Sequence, residues 1–166
     1  MDDPRQLFVH ELGDALCAEQ LLVKFLQELS DEAWDAKLSG ALDKHLADTE
    51  KHATNVKAAL KSVGQKPKSG RCSAIKALRK EHRRFVAREK PNRPIRDVLV
   101  ARTAARAEHY ELAAYTSLIS LADALEETEA SALLERNRKQ DEAALNTATR
   151  AVTRLARRPH ANARTT

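Results

Sequence analysis

Residues 11–26, ELGDALCAEQLLVKFL, place one acidic side chain on the apolar face of an amphipathic helix. That side chain is Glu19, and the residues that share its face are Leu12, Ala15, Leu16, Leu22, Val23 and Leu26. A carboxylate on such a face would be buried, which costs free energy unless it has a partner. The segment therefore predicts a core helix with one buried acid, which taken alone indicates no function.

The same pattern recurs in three further predicted helices. The buried-face candidates there are His45, Asp48 and His52 in the second long helix, Glu108 and Glu111 in the third, and Asp141 in the fourth. Carboxylates and imidazoles that converge inside a four-helix bundle hold iron or manganese, because these ions accept hard oxygen and imidazole nitrogen donors. We therefore expect these residues and Glu19 to be metal ligands. The expected cofactor is iron or manganese, either as one ion or as a dinuclear pair.

The second long helix gives the sharpest pattern. Aliphatic residues close both ends of its apolar stripe, and polar residues fill the central two turns: Leu38 and Leu42, then His45, Asp48, Thr49 and His52, then Val56 and Leu60. This profile is typical of a site enclosed by dry walls. Two pairs, His45 with Asp48 and Asp48 with His52, have spacings that would let either bind one ion. The alternative interpretation is a set of core polar residues that bond only to protein.

The other two helices contribute unequally. Glu108 lies in the apolar stripe of the third long helix, where Tyr115 could donate a hydrogen bond to a ligand carboxylate. In the fourth, Asp141 is the only good ligand, and it follows Lys139-Gln140. A lysine beside a cation site is unfavourable, so this helix is the weakest part of the predicted centre.

The order of elements predicts an all-α fold. The expected helices run from about Pro4 to Leu29, Asp31 to Val63, Ser73 to Arg88, Ile95 to Leu125 and Glu129 to Leu155. Ser30-Asp31-Glu32 is interpreted as a break and Gly64 as a helix C-cap. Two long helices, a basic connection and two more long helices match a ferritin-like four-helix bundle with a long crossover that contains an extra short helix. We expect one domain over 1–156 and a basic flexible tail over 157–166.

Composition agrees with a helical protein and excludes several other classes. The chain has 166 residues with only four glycines and 4% aromatic residues. No apolar run approaches the roughly 18 residues that span a bilayer, and the acidic N-terminus does not resemble a signal peptide. We therefore expect a soluble cytoplasmic protein. Cys17 and Cys72 fit no redox or disulfide pattern and are interpreted as small buried hydrophobes.

Net charge is +5, and the positive residues concentrate in the connection between the two halves. The face Lys76–Arg88 could attract phosphate groups, but no nucleic-acid-binding motif accompanies it, so a solvated basic surface is favoured. The chain also lacks a Gly-x-Ser-x-Gly elbow, a glycine-rich phosphate loop and a His-Glu-x-x-His zinc helix. No catalytic residue or reaction follows from the residues alone.

Three segments resemble the YciF/YciE-like proteins, a bacterial group of the ferritin-like superfamily. They are Glu11-Leu12-Gly13-Asp14-Ala15-Leu16-Cys17-Ala18-Glu19-Gln20-Leu21-Leu22, His45-Leu46-Ala47-Asp48-Thr49-Glu50-Lys51-His52 and Ala107-Glu108-His109-Tyr110-Glu111-Leu112-Ala113-Ala114-Tyr115. The resemblance covers about Leu7 to Leu155 and implies a ferritin-like bundle, frequent dimers, a di-iron or related centre and a link to stress responses.

Carried onto this chain, the resemblance implies metal positions at Glu19, Asp48, His52, Glu108, Glu111 and Asp141. The family usually has glutamate where Asp48 stands and an acidic run around Lys139-Gln140. Two functions are therefore expected to compete. One is a metal-binding bundle that handles iron, peroxide or oxygen under stress, and the other is a helical scaffold whose metal site has degenerated. A homodimer and no membrane partner are expected in either case.

Overall fold

The computed structural model describes residues 1–158, which form five helices and no strand. These are α1 (Pro4–Glu32), α2 (Ala36–Ser62), α3 (Ser73–Glu89), α4 (Arg93–Ala124) and α5 (Thr128–Ala156). The predicted all-α fold, with four long helices and a short helix in the long crossover, is confirmed. The predicted tail over 157–166 falls mostly outside the described residues.

Polar side chains cap three of the four long helices. Asp3 accepts a hydrogen bond from the Arg5 backbone N–H at the start of α1, and Asn92 accepts from Ile95 at the start of α4. Gly64, with a φ of +75°, follows the end of α2, and its N–H donates to the Lys61 carbonyl. The C-cap residue is Val63, and Gly64 is the left-handed residue that follows it, one position later than predicted.

The predicted break at Ser30-Asp31-Glu32 is wrong, because α1 continues through Glu32. The Ser30 side chain is buried and donates its hydroxyl hydrogen to the Asp43 carboxylate of α2, so it does not cap a new helix. Asp35 caps α2 instead and accepts from the Leu38 N–H at 2.9 Å. Serine and aspartate are both common N-cap residues. The contact of Ser30 with Asp43 occupies the serine, so Asp35 caps α2.

The four long helices form two hairpins that pack on each other. α1 packs along α2 and α4 along α5, and the hairpins meet where α2 contacts α5 and α1 contacts α4. Two apolar clusters occupy the two halves of the interior. One contains Leu22, Phe25, Leu26, Leu29, Leu38, Leu42 and Leu155, and the other contains Phe8, Leu12, Leu16, Val56, Leu60, Leu118 and Leu134. The polar residues singled out in the sequence lie between these two clusters along each long helix.

The short helix α3 packs against α1 and α4 through one stripe. Ile75 and His82 are its buried residues, whereas Phe85 is exposed. The periodicity explains the difference. Position 82 lies almost two full turns after Ile75 and faces the same side, while position 85 has rotated about 80° away. A histidine therefore shares the buried stripe of α3 with Ile75.

The crossover is fixed to α1 at a close approach of two backbones. The Gly70 N–H donates to the Gly13 carbonyl at 2.7 Å, and the Arg71 N–H donates to the Asp14 carboxylate at the same distance. A Cβ atom added at Gly70 would lie 2.8 Å from the Asp14 backbone nitrogen, so this contact requires glycine. The crossover therefore holds Cys72 and α3 in place beside α1.

Both cysteines are buried and free, as the sequence predicted. Cys17 belongs to the apolar cluster near Leu22, and the Cys72 thiol lies 3.6 Å from the Tyr110 hydroxyl. Among residues 1–158, no helix combines the length and the apolar character that crossing a bilayer requires.

Candidate metal centre

Acids and imidazoles from all four long helices meet in the layer between the two apolar clusters. We call this group the acid–imidazole cluster and define it as Glu19 of α1, His45 and His52 of α2, Glu108 and Glu111 of α4, and Asp141 of α5. All four carboxylate side chains and His52 are buried, and His45 is half-buried. Helical periodicity produces the arrangement, since each residue continues the inward stripe of its own helix.

Two sets of three ligand atoms can be drawn within the cluster. One ligand atom each from Glu19, His52 and Asp141 lie within 4.8 Å of one another, and so do atoms from His45, Glu108 and Asp141. The His52 Nδ1 atom is 3.4 Å from Asp141 Oδ1 and 3.7 Å from Glu19 Oε1. His45 Nε2 lies 2.8 Å from Glu108 Oε1. Asp141 belongs to both sets and could therefore be shared by two ions.

The cluster leaves buried polar atoms without partners. Across the described residues, six buried side-chain nitrogen or oxygen atoms have no hydrogen-bond partner, and five belong to this cluster: Glu19 Oε2, His52 Nδ1, Glu108 Oε2, Glu111 Oε1 and Asp141 Oδ2. Each unsatisfied buried polar atom costs about 1–3 kcal/mol, and more if it is charged. Their concentration at one point shows that the protein itself leaves this layer of buried acids without compensating partners.

The pKa shifts of the cluster also indicate that its acids lack compensating positive charge. Burial raises the pKa of Glu19 and of Glu111 well above the usual range, and neighbouring carboxylates raise both further. Burial, followed by repulsion from Glu108 and Glu19, raises the pKa of Asp141 to about 10. Burial also lowers the pKa of His52 to about 4. At neutral pH Asp141 therefore retains its proton and His52 stays neutral, so metal binding at Asp141 would release a proton.

A second layer of hydrogen bonds orients the cluster. The Tyr115 hydroxyl donates to Glu19 Oε1, as the sequence suggested for a tyrosine beside a ligand. Asn137 Nδ2 donates to the Tyr115 oxygen at 2.9 Å and to the His52 carbonyl at 3.2 Å. Gln140 Oε1 accepts from His52 Nε2 at 3.0 Å. When Nε2 carries the proton, Nδ1 of neutral His52 keeps a free lone pair beside Glu19 and Asp141.

The two ligand sets contain five of the seven residues that the sequence singled out as ligands. Glu111 is buried close to Asp141 and Glu108 but belongs to neither set. Asp48 is half-buried at the edge and pairs with Lys51 at 3.0 Å. On α2 the inward stripe runs from His45 through buried Thr49 to His52, because seven residues make almost two turns. Asp48 lies beside that stripe and outside both ligand sets, and its role as a ligand stays a prediction.

Sequence reasoning missed the contribution of Gln140, because it treated Lys139-Gln140 as a single departure from an acidic run. Adjacent helical residues point about 100° apart. Gln140 turns inward to His52, whereas Lys139 is exposed on a surface groove. Asn137 lies on the buried side of α5, and its hydrogen bonds to α2 and α4 could not be deduced without the tertiary structure.

The basic face Lys76–Arg88 is partly neutralised by α1. Arg79 and Arg83 both donate to the Glu28 carboxylate, and hydrogen bonds from Arg79 and Arg83 lower the pKa of that group. Lys76, Lys80 and Arg84 remain exposed. This pairing fits a structural role for part of the face, and the solvated basic surface that the sequence favours over nucleic-acid binding stays a prediction.

Comparison with known proteins gives a consistent group of relatives. A sequence model of a domain of unknown function, DUF892, matches residues 3–161. Protein YciF of Escherichia coli strain K12 is 30% identical over 138 residues, which cover 82% of each chain.

Two solved structures share the architecture over almost their whole length. The E. coli stress protein YciF superposes with a TM-score of 0.88 at 27% identity and covers 95% of this chain and 99% of its own. YcfI of Rhodopseudomonas palustris, described as a candidate structural protein, superposes with a TM-score of 0.86 at 30% identity, over 89% of this chain and 94% of its own.

Proposed function

The chain belongs to the DUF892 family of YciF-like proteins, and we propose that it binds iron or manganese ions in the acid–imidazole cluster. The proposal extends to a role in the bacterial stress response, since one relative is named a stress protein. The layout of the bundle supports it, because ferritin-like bundles hold dinuclear centres with inward carboxylates and histidines. The observation that carries the proposal is the set of five unpartnered buried atoms at one point.

The donor set fits these ions in type and charge. Four carboxylates and two imidazoles are the hard oxygen and nitrogen donors that iron and manganese accept. The ion-pair partners of Glu19, Glu108 and Asp141 in the described part of the chain are imidazoles. Two divalent ions would balance four negative charges. Glu19 and His52 would hold one ion, His45 and Glu108 the other, and Asp141 would serve both.

The protein's own residues would then prepare the site. Tyr115 keeps the Glu19 carboxylate in position, and Gln140 keeps the His52 proton on Nε2. The two apolar clusters exclude water from both ends, which strengthens the electrostatic interactions between them. When bound, iron or manganese with open coordination positions can exchange electrons with oxygen or peroxide.

Metal analysis tests the proposal directly. Protein expressed with both iron and manganese should contain at least one of them by mass spectrometry, and removal with a chelator should lower its melting temperature. Glu108→Ala should lose most of the metal. Asp97→Ala is the matched control, because Asp97 is an equally buried acid on α4 that accepts a hydrogen bond from the Trp34 backbone N–H.

The control separates misfolding from loss of ligands. Asp97→Ala should destabilise the protein and leave its metal content unchanged. If wild-type protein contains neither metal, and Glu108→Ala leaves the melting temperature unchanged, the proposal is wrong.

A scaffold with a degenerated metal site is the second candidate. One observation favours it: Thr49 stands three residues before His52, where dinuclear bundles place a glutamate. The Thr49 hydroxyl donates to the His45 carbonyl and offers no carboxylate. The relative described as a candidate structural protein is consistent with this alternative. Absence of metal in the analysis above would select it.

A homodimer in the cytoplasm remains our expectation for either function. Sedimentation of the purified full chain tests the first point, and fractionation of the source cells tests the second.

A further inference from the structure

We propose that a cavity between α2 and α5 admits small uncharged molecules to the His45–Glu108 edge of the acid–imidazole cluster. This inference rests on the proposed function, because it names the class of molecule that would reach the metal site. We call the space the α2–α5 cavity. It has a volume of about 110 Å³, and its lining includes His45, Asp48 and Glu108.

The lining connects the surface with the interior. Lys44, Ala143 and Thr147 line the cavity and are exposed, whereas Ala104 and Glu108 line it and are buried. Ala104 is 3% exposed and Glu108 is 1% exposed. A space bounded by both kinds of residue forms a path from solvent to a ligand carboxylate. The Glu108 Oε2 atom has no hydrogen-bond partner, so a polar molecule at the inner end would find an acceptor or, with a proton on Glu108, a donor.

Small side chains keep this path open. Most of the wall consists of alanine and leucine, including Ala41, Ala104, Ala143, Ala144 and Leu42. A larger residue at any of the alanine positions would fill part of the cavity, because protein interiors are close-packed. A volume of about 110 Å³ accommodates several water molecules, and therefore a solute of only a few heavy atoms.

The charges and the apolar wall of the α2–α5 cavity disfavour the passage of ions. Lys44 at the outer end repels cations, and Asp48 is already neutralised by Lys51. Anions would approach the carboxylate layer and would lose hydration along an alkyl wall, which is costly without a partner. A neutral molecule is not repelled by Lys44 and loses little hydration free energy along the apolar wall. Dioxygen and hydrogen peroxide share this chemistry, and both fit the volume.

A neighbouring groove does not offer the same access. It is lined by Lys51, Arg136 and Lys139 and ends on Gln140, which is bonded to His52. No member of the acid–imidazole cluster lines that groove. The α2–α5 cavity therefore supplies the direct route to the cluster on this side of the bundle.

The first test uses metal-free protein and dissolved dioxygen. Dioxygen is paramagnetic, so it speeds the NMR relaxation of the methyl groups it reaches. We expect a several-fold larger enhancement at the Ala104 methyl than at the Ala101 and Ala107 methyls. These controls are also buried on α4 and lie outside the cavity lining. Equal enhancement at all three would overturn the inference.

The second test compares two leucine substitutions at half-buried alanines. Ala144→Leu fills the cavity, whereas Ala58→Leu, on α2, adds the same volume away from it. Ala144→Leu should abolish the dioxygen effect at Ala104, and Ala58→Leu should leave it unchanged. If Ala144→Leu fails to fold, Ala41→Leu takes its place, since Ala41 lines the same cavity.

The third test uses iron-loaded protein. Oxidation of bound Fe(II) by hydrogen peroxide should slow about tenfold in Ala144→Leu at equal metal content, because a filled path opens only by fluctuation. Ala58→Leu should behave as wild type, and the bulky cumene hydroperoxide should react slowly even with wild-type protein. Equal rates in both variants would overturn the access route. If wild-type protein takes up no metal, the proposed function fails, while the dioxygen experiment still decides whether the cavity admits small molecules.

Discussion

The interior contains two sites built from carboxylate and imidazole, and they differ in what neutralises the charge. The first is the acid–imidazole cluster. The second lies where α1, α3 and α4 meet, and we call it the paired network: Glu32, His82, Arg96 and Thr103. In the paired network, His82 Nε2 donates to Glu32 at 3.1 Å and Arg96 Nη1 donates to it at 3.0 Å. Thr103 Oγ1 lies 3.0 Å from His82 Nδ1 and completes the partners of the imidazole.

The pKa shifts of the two sites have opposite signs. A hydrogen bond from His82 is the main cause that lowers the pKa of Glu32, with Arg96 adding to it. In the acid–imidazole cluster, burial and mutual repulsion raise the pKa of Glu19, Glu111 and Asp141. Burial of an acid and a histidine together therefore does not identify a metal site. The proposed metal site depends instead on uncompensated acids with five unpartnered atoms, whereas Arg96 Nε is the one such atom of the paired network.

The largest effect should come from breaking the paired network. His82→Ala removes two hydrogen bonds and the edge contact of the imidazole with the Phe25 ring, whose centroids are 5.9 Å apart. We expect the free energy of unfolding to fall by roughly 3 kcal/mol in urea denaturation. His109→Ala is the control, because His109 is exposed, and should change little. A loss in His82→Ala no larger than in the control would mean that the paired network does not stabilise the fold.

We expect the opposite change in the free energy of unfolding when an acid of the acid–imidazole cluster is replaced. Asp141→Asn replaces a buried acid by a neutral side chain of the same shape. In metal-free protein at pH 8 this should raise the free energy of unfolding by roughly 2 kcal/mol, because folding then no longer requires the uptake of a proton at a buried Asp141 that is ionised in the unfolded chain. In metal-loaded protein the same substitution should lower it. Destabilisation in both states would show that Asp141 is an ordinary structural acid.

The pH dependence sharpens the same contrast. The pKa of Asp141 is raised to about 10 in the folded state, so its folded form binds more protons than the unfolded form above the usual acid pKa. Stability is therefore lost as pH rises toward 10, by at most about 1.4 kcal/mol per pH unit for each proton. His52, with its pKa lowered to about 4, contributes in the opposite direction below its usual pKa.

Between pH 7 and 9 the acids act alone, so metal-free wild-type protein should lose stability across this range. Asp141→Asn should reduce the slope. The paired network should add nothing there, because the lowered pKa of Glu32 matters only in acid. Urea denaturation at several pH values with a chelator present measures the slope, and a flat profile would contradict the proposed repulsion.

The sequence was sufficient for the fold and for most of the candidate centre. Helical periodicity alone placed Glu19, His52, Glu108 and Asp141 on inward stripes, and the structure places them in one layer. Periodicity could not show that His45 faces the cluster and Asp48 does not. Both residues lie within one turn of the stripe centre, and contacts with the other helices decide which side chain turns inward.

The paired network was missed altogether. His82 lies in a helix with six nearby basic residues, where a histidine resembles one more surface charge. Its burial depends on Glu32 and Thr103, which come from helices distant in sequence. The boundary between α1 and α2 was misplaced for a related reason: both Ser30 and Asp35 can cap a helix, and only the contact of Ser30 with Asp43 removes it from that role.

A smaller effect is expected at Gln140, which touches the cluster without being a ligand. Gln140→Ala removes the acceptor that keeps the His52 proton on Nε2. Metal affinity should fall about tenfold, as is usual when the hydrogen-bond partner of a ligating histidine is lost. Titration with manganese, followed by the melting temperature, measures the change. Unchanged affinity would mean that His52 does not bind through Nδ1.

We expect the smallest effect on metal binding at Lys139, the residue before Gln140. Lys139 precedes Gln140 and would repel a cation if it pointed inward, yet its side chain is exposed on the groove beside Arg136 and Lys51. Water and salt screen charges in such positions, so Lys139→Ala should alter manganese binding by no more than about 0.5 kcal/mol. The same titration that detects the Gln140 effect measures it. A large gain in manganese affinity for Lys139→Ala would contradict the outward orientation of the Lys139 side chain. It would mean that the lysine charge acts on the acid–imidazole cluster.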